Sequence, residues 1–204
     1  DMNEAAQIEL LSCFDFGPEM DGFSHDAYAH GDAASLYSMI RHFRPQRIIE
    51  IGSGHSTRVA IKAIAANRRN HADYTCEHVC IEPYEMPWLE ETGVTVVRSR
   101  VEDLPLDRFD ALGDGDILFI DSSHIIRPGG DVLHEYQTIV PRLKAGVLVH
   151  VHDIFTPRDY PDLWLRTQRR LWNEQYLLEA FLSFNSHYSV VLAVNWLKHS
   201  HPVA

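Results

Sequence analysis

Five short apolar runs separated by stretches with helical spacing leave few folds open to this chain. They are Ile48 to Ile51, His78 to Glu82, Val94 to Val97, Asp116 to Asp121 and Val147 to Val151. Most are rich in β-branched residues and short enough to be strands buried on both faces. Between them Leu36, Ile40 and Phe43 fall at helical spacing before Pro45, a helix is expected over about Thr57 to Asn67, and Val132, Tyr136, Ile139 and Leu143 recur helically before Gly146. Strand and helix alternating in this way predict an α/β fold, a doubly wound and mostly parallel sheet with helices on both faces. Ligands of such sheets bind beyond the carboxyl ends of the strands. Those ends carry Glu50 with Gly52, then Glu82, Asp121, and His152 with Asp153. Packing alone does not call for acids or histidine at four strand ends, so this edge is the expected active site.

The remaining segments are read more coarsely. A short helix is expected near Asn3 to Ser12, then a loop or lid through Gly31, so that residues 1–31 form an N-terminal helix and lid segment of a single domain spanning 1–204. Asp32 is a candidate cap for the next helix. A short helix is expected around Met86 to Glu91, a polar turn-rich stretch over Val101 to Asp110, and a loop over Thr156 to Leu163. Asn173 to Phe184 reads as a helix burying Tyr176, Leu177, Ala180 and Phe181, and Tyr188 to Trp196 as a further, antiparallel edge strand. An edge strand of that kind needs a cover, and a homodimer would supply one.

Charge and cysteine usage narrow the partners. With 29 acidic against 18 basic side chains the formal charge is −11, which argues against a surface built for nucleic acid. No apolar run is long enough to span a bilayer and no basic-then-apolar leader opens the given sequence, so a soluble protein with no membrane partner is expected. Cys13, Cys76 and Cys80 are too few for a disulfide framework and suggest a reducing, cytoplasmic setting. Cys76 and Cys80 are either a weak metal pair or, more simply, separate thiols.

The stretch Arg47 to Val59 reads as a strand, a tight glycine turn and a helix N-terminus, with Ser56 or Thr57 as the expected cap. Gly52 and Gly54 allow a sharp turn and close approach to a ligand, and the first N–H groups of the helix are donors for it. An acid at the next strand end, here Glu82, suits ribose hydroxyls. A dinucleotide site would carry G-x-G-x-x-G, but Thr57 occupies the third glycine position. A nicotinamide-dependent oxidoreductase is therefore the weaker alternative, and a non-catalytic protein keeping the same fold is another.

The sequence Glu50-Ile-Gly-Ser-Gly54, with Glu82, then Val101-Glu-Asp103, then Phe119-Ile-Asp121, resembles the class I S-adenosylmethionine-dependent methyltransferases. It is most similar to a bacterial small-molecule branch whose first motif reads E-I-G-S-G-x-S-T. The resemblance covers roughly Leu36 to Asn195 and implies a Rossmann-like methyltransferase fold. It also implies that Glu50 and the loop of Gly52, Ser53 and Gly54 hold the methionine part of S-adenosylmethionine, that Glu82 holds the ribose and that Glu102 or Asp103 lies near the adenine, with Ser56, Thr57 and Asp121 also in the cofactor site.

A second constellation joins Asp121-x-x-His124 to His150-x-His152-Asp153. Metal-dependent O-methyltransferases, which the chain also resembles, place one acid at the fourth strand end and two oxygen ligands at the fifth. Asp121 and Asp153 match, while His152 stands where an acid is expected. Asp121, His152 and Asp153 are thus the candidate metal ligands, for magnesium, manganese or another divalent ion, the alternative being plain hydrogen bonding. Asp121, His124 and His152 are the candidate catalytic groups, either histidine being able to take a hydroxyl proton. His25 and His30 are lesser candidates in the lid, His199 and His201 are read as tail residues, and Tyr160, Trp164 and Trp172 are an aromatic wall or simply core. The expected function is methyl transfer to a small molecule, O-directed, with a divalent metal as an optional aid.

Overall fold

The computed structural model describes residues 1–14, 20, 28, 30–84 and 86–201. The expected lid, including His25, lies almost wholly outside them. The chain groups into two compact units, Phe14–Asp121 with Arg142–His152, and Asp1–Cys13 with Ser122–Pro141 and Asp153–Ala204.

The first unit holds the sheet. Strands β1 (Arg47–Ile51), β2 (Glu77–Ile81), β3 (Thr95–Val97), β4 (Ile117–Ile120) and β5 (Leu148–Val151) are all parallel, in the order β3-β2-β1-β4-β5. The winding direction reverses between β1 and β4, where open sheets of this type form their ligand crevice. Helices α2 (His30–Phe43) and α3 (His55–Asn70) bury Leu36, Tyr37 and Ile40, and Val59, Ala60, Ala63 and Ile64, in one cluster with Ile48, Ile117 and Phe119. Each large apolar side chain so buried stabilises by about 1.5–3 kcal/mol. Buried Asn67 on α3 is satisfied: it donates to the Ile40 carbonyl at 2.9 Å and accepts from Arg41 at 2.8 Å. This five-stranded parallel sheet, with α2 and α3 packed on it, is the Rossmann-like architecture expected.

Three local expectations change. Helix α2 begins at His30, so Asp32 lies in its first turn, where a carboxylate favours the helix dipole, and does not cap it. The cap of α3 is Gly54, with Thr57 in the third helical position: its hydroxyl accepts the Gly54 N–H at 3.1 Å and donates to Glu50 at 2.5 Å. In place of a helix over Met86 to Glu91 there is one 3-10 turn, Glu90–Thr92, and the polar stretch before β4 holds one short helix, α4 (Asp107–Asp110). The Arg98 guanidinium gathers the carbonyls of Glu82, Tyr84 and Met86 and the carboxylate of Glu90, so that stretch gives its acceptors to a side chain.

The second unit contains α1 (Glu4–Ser12), α6 (Glu174–Leu182), α7 (Val194–Ser200) and the irregular helix α5 (Asp131–His134), which runs on through a π-turn segment, Glu135–Ile139. The expected antiparallel strand over Tyr188 to Trp196 is absent: its last residues are helical and the rest is irregular, with a bend at Val191. Its backbone groups are taken by side chains, Asn3 donating to the Val190 carbonyl at 3.3 Å and Gln7 accepting the Ala193 N–H at 2.7 Å. The edge on which a dimer was expected is therefore not formed. Helix α6 also buries a different face from the one expected. Glu174 and Gln175 are buried while Tyr176 is 44% exposed and Ala180 lies at the surface.

Candidate functional site

The ladder runs one residue past the end of each of four strands. Gly52 donates to the Ile81 carbonyl at 3.0 Å, Glu82 to Val97 at 3.1 Å, Asp121 to Ile51 at 2.9 Å and His152 to Ile120 at 2.9 Å. These four residues, named from the sequence, thus stand in one row along the carboxyl edge of the sheet. Gly52 sits at the reversal point with φ +79°, and a Cβ there would lie 1.9 Å from the Asp121 carbonyl oxygen. No other residue fits, because the left-handed conformation is strained for L side chains and the approach leaves no room for one. Gly54 differs: a Cβ on it would meet nothing within 4 Å. The loop presents open space at Gly54 and close packing at Gly52.

Glu82 fastens this loop. Its Oε2 accepts the Ser53 N–H at 3.1 Å and its Oε1 the Tyr84 N–H at 2.9 Å. A carboxylate has about four lone-pair positions, so these bonds leave acceptor capacity for ligand hydroxyls. Glu50 lies deeper, 1% exposed, taking the Thr57 hydroxyl at 2.5 Å and the Cys80 thiol at 3.3 Å, with His78 Nε2 at 3.5 Å. Burial and then the Glu50 carboxylate push the Cys80 pKa far up, so the group stays a thiol and donates. Ser56 is buried in the first turn of α3. Glu50, Thr57 and Cys80 thereby brace the glycine turn from beneath. Cys76 is engaged elsewhere, its thiol directed to the Glu77 carbonyl and its pKa raised to about 11 by burial. The two cysteines are separate free thiols.

Glu102 and Asp103 form a 3-10 turn after β3. Asp103 turns to the exposed Arg100, which grips it at 2.9 and 3.0 Å and holds its carboxyl below the usual range, while Glu102 is half-buried.

Asp121 and His152 offer ligand atoms within 4.8 Å of each other. The His152 ring is tilted against Tyr28 at 5.0 Å. Behind it His150 stacks on Phe119 at 4.5 Å, and desolvation lowers its pKa to about 3, His152 adding a smaller effect. His150 is therefore neutral at physiological pH.

In the second unit His124 is 4% exposed with φ +58°, and it is held on three sides. Its Nδ1 is 2.8 Å from Glu174 Oε2, its Nε2 is 3.9 Å from Asp153 Oδ2, and its ring packs on Trp172 at 4.2 Å. Glu174 is wholly buried and its other oxygen accepts the Tyr136 hydroxyl at 3.0 Å. A carboxylate on Nδ1 fixes the tautomer and leaves Nε2 as the basic nitrogen, the arrangement that general bases use. The neighbours of Glu174 secure the loops on either side. Asn173 accepts the Ile126 N–H at 2.6 Å, and Gln175 accepts from Phe155 at 2.7 Å and donates to the Arg158 carbonyl at 2.8 Å.

Glu174 is the residue that sequence reading missed. The only signal was a glutamate and glutamine opening an otherwise apolar helix, a pattern that also describes a solvated first turn. Of the lesser candidates, His201 pairs with Glu4 at 2.6 Å. Trp164 and Trp172 meet edge to face at 5.0 Å, and Tyr160 lies against Trp172 at 6.0 Å.

Residues 49–154 match a family model described as a methyltransferase domain. An uncharacterized protein of Archaeoglobus fulgidus is 34% identical over 87 residues, covering 40% of this chain and 37% of that protein's length. No solved structure matches. The match from Ile49 to Ile154 takes in just over half of the chain, from the first strand to the end of the fifth, and places it in the class I S-adenosylmethionine-dependent methyltransferase family.

Proposed function

We propose that the protein transfers the methyl group of S-adenosylmethionine to a hydroxyl of a small molecule. The observation that carries this reading is the glycine turn at the sheet's reversal point: closed at Gly52, open at Gly54, and followed by an acid that retains acceptor capacity. These features fit the cofactor. Gly54 gives its body room, the first turn of α3 offers N–H donors, and Glu82 suits the ribose hydroxyls. The bound cofactor supplies an electrophilic methyl group, so the protein's work is to align the acceptor and relieve it of a proton. His124 is the proposed base, accepting that proton at Nε2 while Glu174 holds Nδ1.

A divalent ion is a proposed aid. Asp121 and His152 would hold it, with Asp153 next in the chain as the further oxygen donor named from sequence. An oxygen and nitrogen set favours manganese or another first-row ion over magnesium. Such an ion would lower the pKa of the acceptor hydroxyl. Among the described residues no helix is long and apolar enough to cross a membrane; a reducing, cytoplasmic setting is proposed from the low cysteine content of the sequence.

The test is calorimetric titration with S-adenosylmethionine, with and without manganese, followed by methyl transfer to a panel of hydroxyl compounds. A saturable isotherm and a methylated product are expected. No heat at millimolar cofactor in either condition overturns the reading.

A further inference from the structure

Beneath the glycine turn lie three side chains to which the scheme above gives no chemistry. Glu50 of β1 stands beside Cys80 of β2 in the ladder, and His78, two residues earlier on the same strand, shares its face. All three are buried, Glu50 at 1%, Cys80 at 0% and His78 at 8% exposure. A buried carboxylate is ordinarily matched by a cation or bound to a metal. Among the described residues no lysine or arginine pairs with Glu50, and the His78 imidazole is its one basic neighbour.

The donor atoms form a small triangle. Cys80 Sγ is 3.3 Å from Glu50 Oε2, His78 Nε2 is 3.5 Å from the same oxygen, and the sulfur and the nitrogen are 3.8 Å apart. A separation of 3.5 Å between nitrogen and oxygen is long for a hydrogen bond, so hydrogen bonding alone accounts poorly for this spacing. A point equidistant from three atoms so placed lies about 2 Å from each, which matches zinc's bonds to oxygen and nitrogen and is close to the length of its bond to sulfur. Three protein donors suffice for zinc. The Thr57 hydroxyl, 2.5 Å from the same carboxylate oxygen and 3.9 Å from the sulfur, is the nearest oxygen for the fourth position. His78 Nδ1 is buried with no partner among the described residues. Nothing therefore fixes the ring proton on Nε2, and with that proton on Nδ1 the Nε2 lone pair is free for an ion.

We propose that Glu50, His78 and Cys80 bind a zinc ion that ties β1 to β2 beneath the glycine turn. The Cys80 thiol releases its proton to solvent and binds as the thiolate, so that thiolate and carboxylate together cancel the charge of the ion. Sulfur among the donors disfavours magnesium and favours zinc. The set shares no residue with Asp121, His152 and Asp153, which offer no sulfur. Its effect reaches the turn through Glu50 and Thr57, whose hydroxyl also accepts the Gly54 N–H at 3.1 Å.

The experiment is a titration of the chelator-treated full chain with cobalt(II), followed by absorption, and then with zinc. A thiolate-to-cobalt charge-transfer band in the near ultraviolet is expected, bleached when zinc replaces the cobalt. Cys80→Ser should abolish the band, while Cys13→Ser and Cys76→Ser keep it. His78→Ala should raise the cobalt concentration needed for the band at least tenfold. Asp121→Asn should leave the band intact, which separates this site from the one at Asp121 and His152. No band in the wild-type chain overturns the proposal, as does a band that survives Cys80→Ser or disappears in Cys76→Ser. Should Cys80→Ser fail to fold, His78→Ala decides, and an unweakened band there overturns the assignment. None of these readouts uses S-adenosylmethionine, so their failure is distinct from failure of the methyl-transfer reading.

Discussion

Gly52 and Asp121 meet where the sheet reverses direction, the glycine having no room for a Cβ, which would lie 1.9 Å from the aspartate's carbonyl oxygen. The glycine turn and the end of β4 are thus fixed against each other by backbone packing. Gly52→Ala must accept both a positive φ and a steric clash, and a loss of more than about 2 kcal/mol is expected. For a chain of this size that is a fall in melting temperature of roughly 4–8 °C. Gly54→Ala has space for its methyl group and should stay within about 1 kcal/mol of the wild type, while weakening S-adenosylmethionine binding by occupying the ligand's room. Thermal unfolding and calorimetry on the two variants separate these outcomes. A Gly54→Ala protein with unaltered cofactor affinity would show that the ligand does not lie over this glycine.

Glu174 is a positioning residue in the proposed chemistry, acting through His124. Glu174→Gln keeps an oxygen acceptor for Nδ1 and removes the charge, so kcat should drop about tenfold to a hundredfold with the acceptor's KM little changed. His124→Ala should lose about 10²–10⁴ in kcat. The pH–rate profile is the discriminating measurement: its basic-group limb should move in Glu174→Gln and vanish in His124→Ala. A Glu174→Gln enzyme with wild-type kcat and an unmoved profile would leave Glu174 a purely structural residue.

The sheet edge and the histidine network were not equally legible in the sequence. Gly52, Glu82, Asp121 and His152 could be named because each closes a β-branched or apolar run, and period and chain direction alone bring strand ends to one edge. Glu174 could not, since its role depends on a partner fifty residues away, and a buried glutamate in a first helical turn reads like a solvated one. The segment Tyr188 to Trp196 misled for a related reason. Its apolar run satisfies a strand pattern, but its backbone partners are the side chains of Asn3 and Gln7 at the far end of the chain. Type and place make Ser56 or Thr57 a candidate cap; that the Thr57 hydroxyl is donated to Glu50 follows only from how α3 packs on β1.

His150 sets part of the acid stability. Its pKa is lowered from 6.5 to about 3 by desolvation, so between those values the unfolded chain binds a proton that the native chain does not. Stability from this group is fully present above pH 6.5 and declines as pH falls toward 3. A His150→Asn variant should show a flatter dependence of melting temperature on pH over that window, whatever its absolute stability. Parallel curves for variant and wild type from pH 7 to pH 4 would refute the assignment.

Glu135 works in the opposite direction. It is fully buried, its Oε2 taking the Ser122 hydroxyl at 3.0 Å and its Oε1 having no partner among the described residues. Desolvation, reinforced by the Glu174 carboxylate, raises its pKa well above 4.5, so the native state keeps a proton that the unfolded chain releases. Stability is therefore lost as pH rises above about 4.5, until the native group itself ionises. Glu135→Gln preserves the neutral form's shape and cannot ionise. Its melting temperature relative to wild type should stay constant below pH 4.5 and climb as pH rises above it. A difference that is the same at pH 4 and pH 8 would mean that Glu135 is already ionised in the folded protein, and that the buried carboxylates beside His124 carry one more negative charge than this network implies.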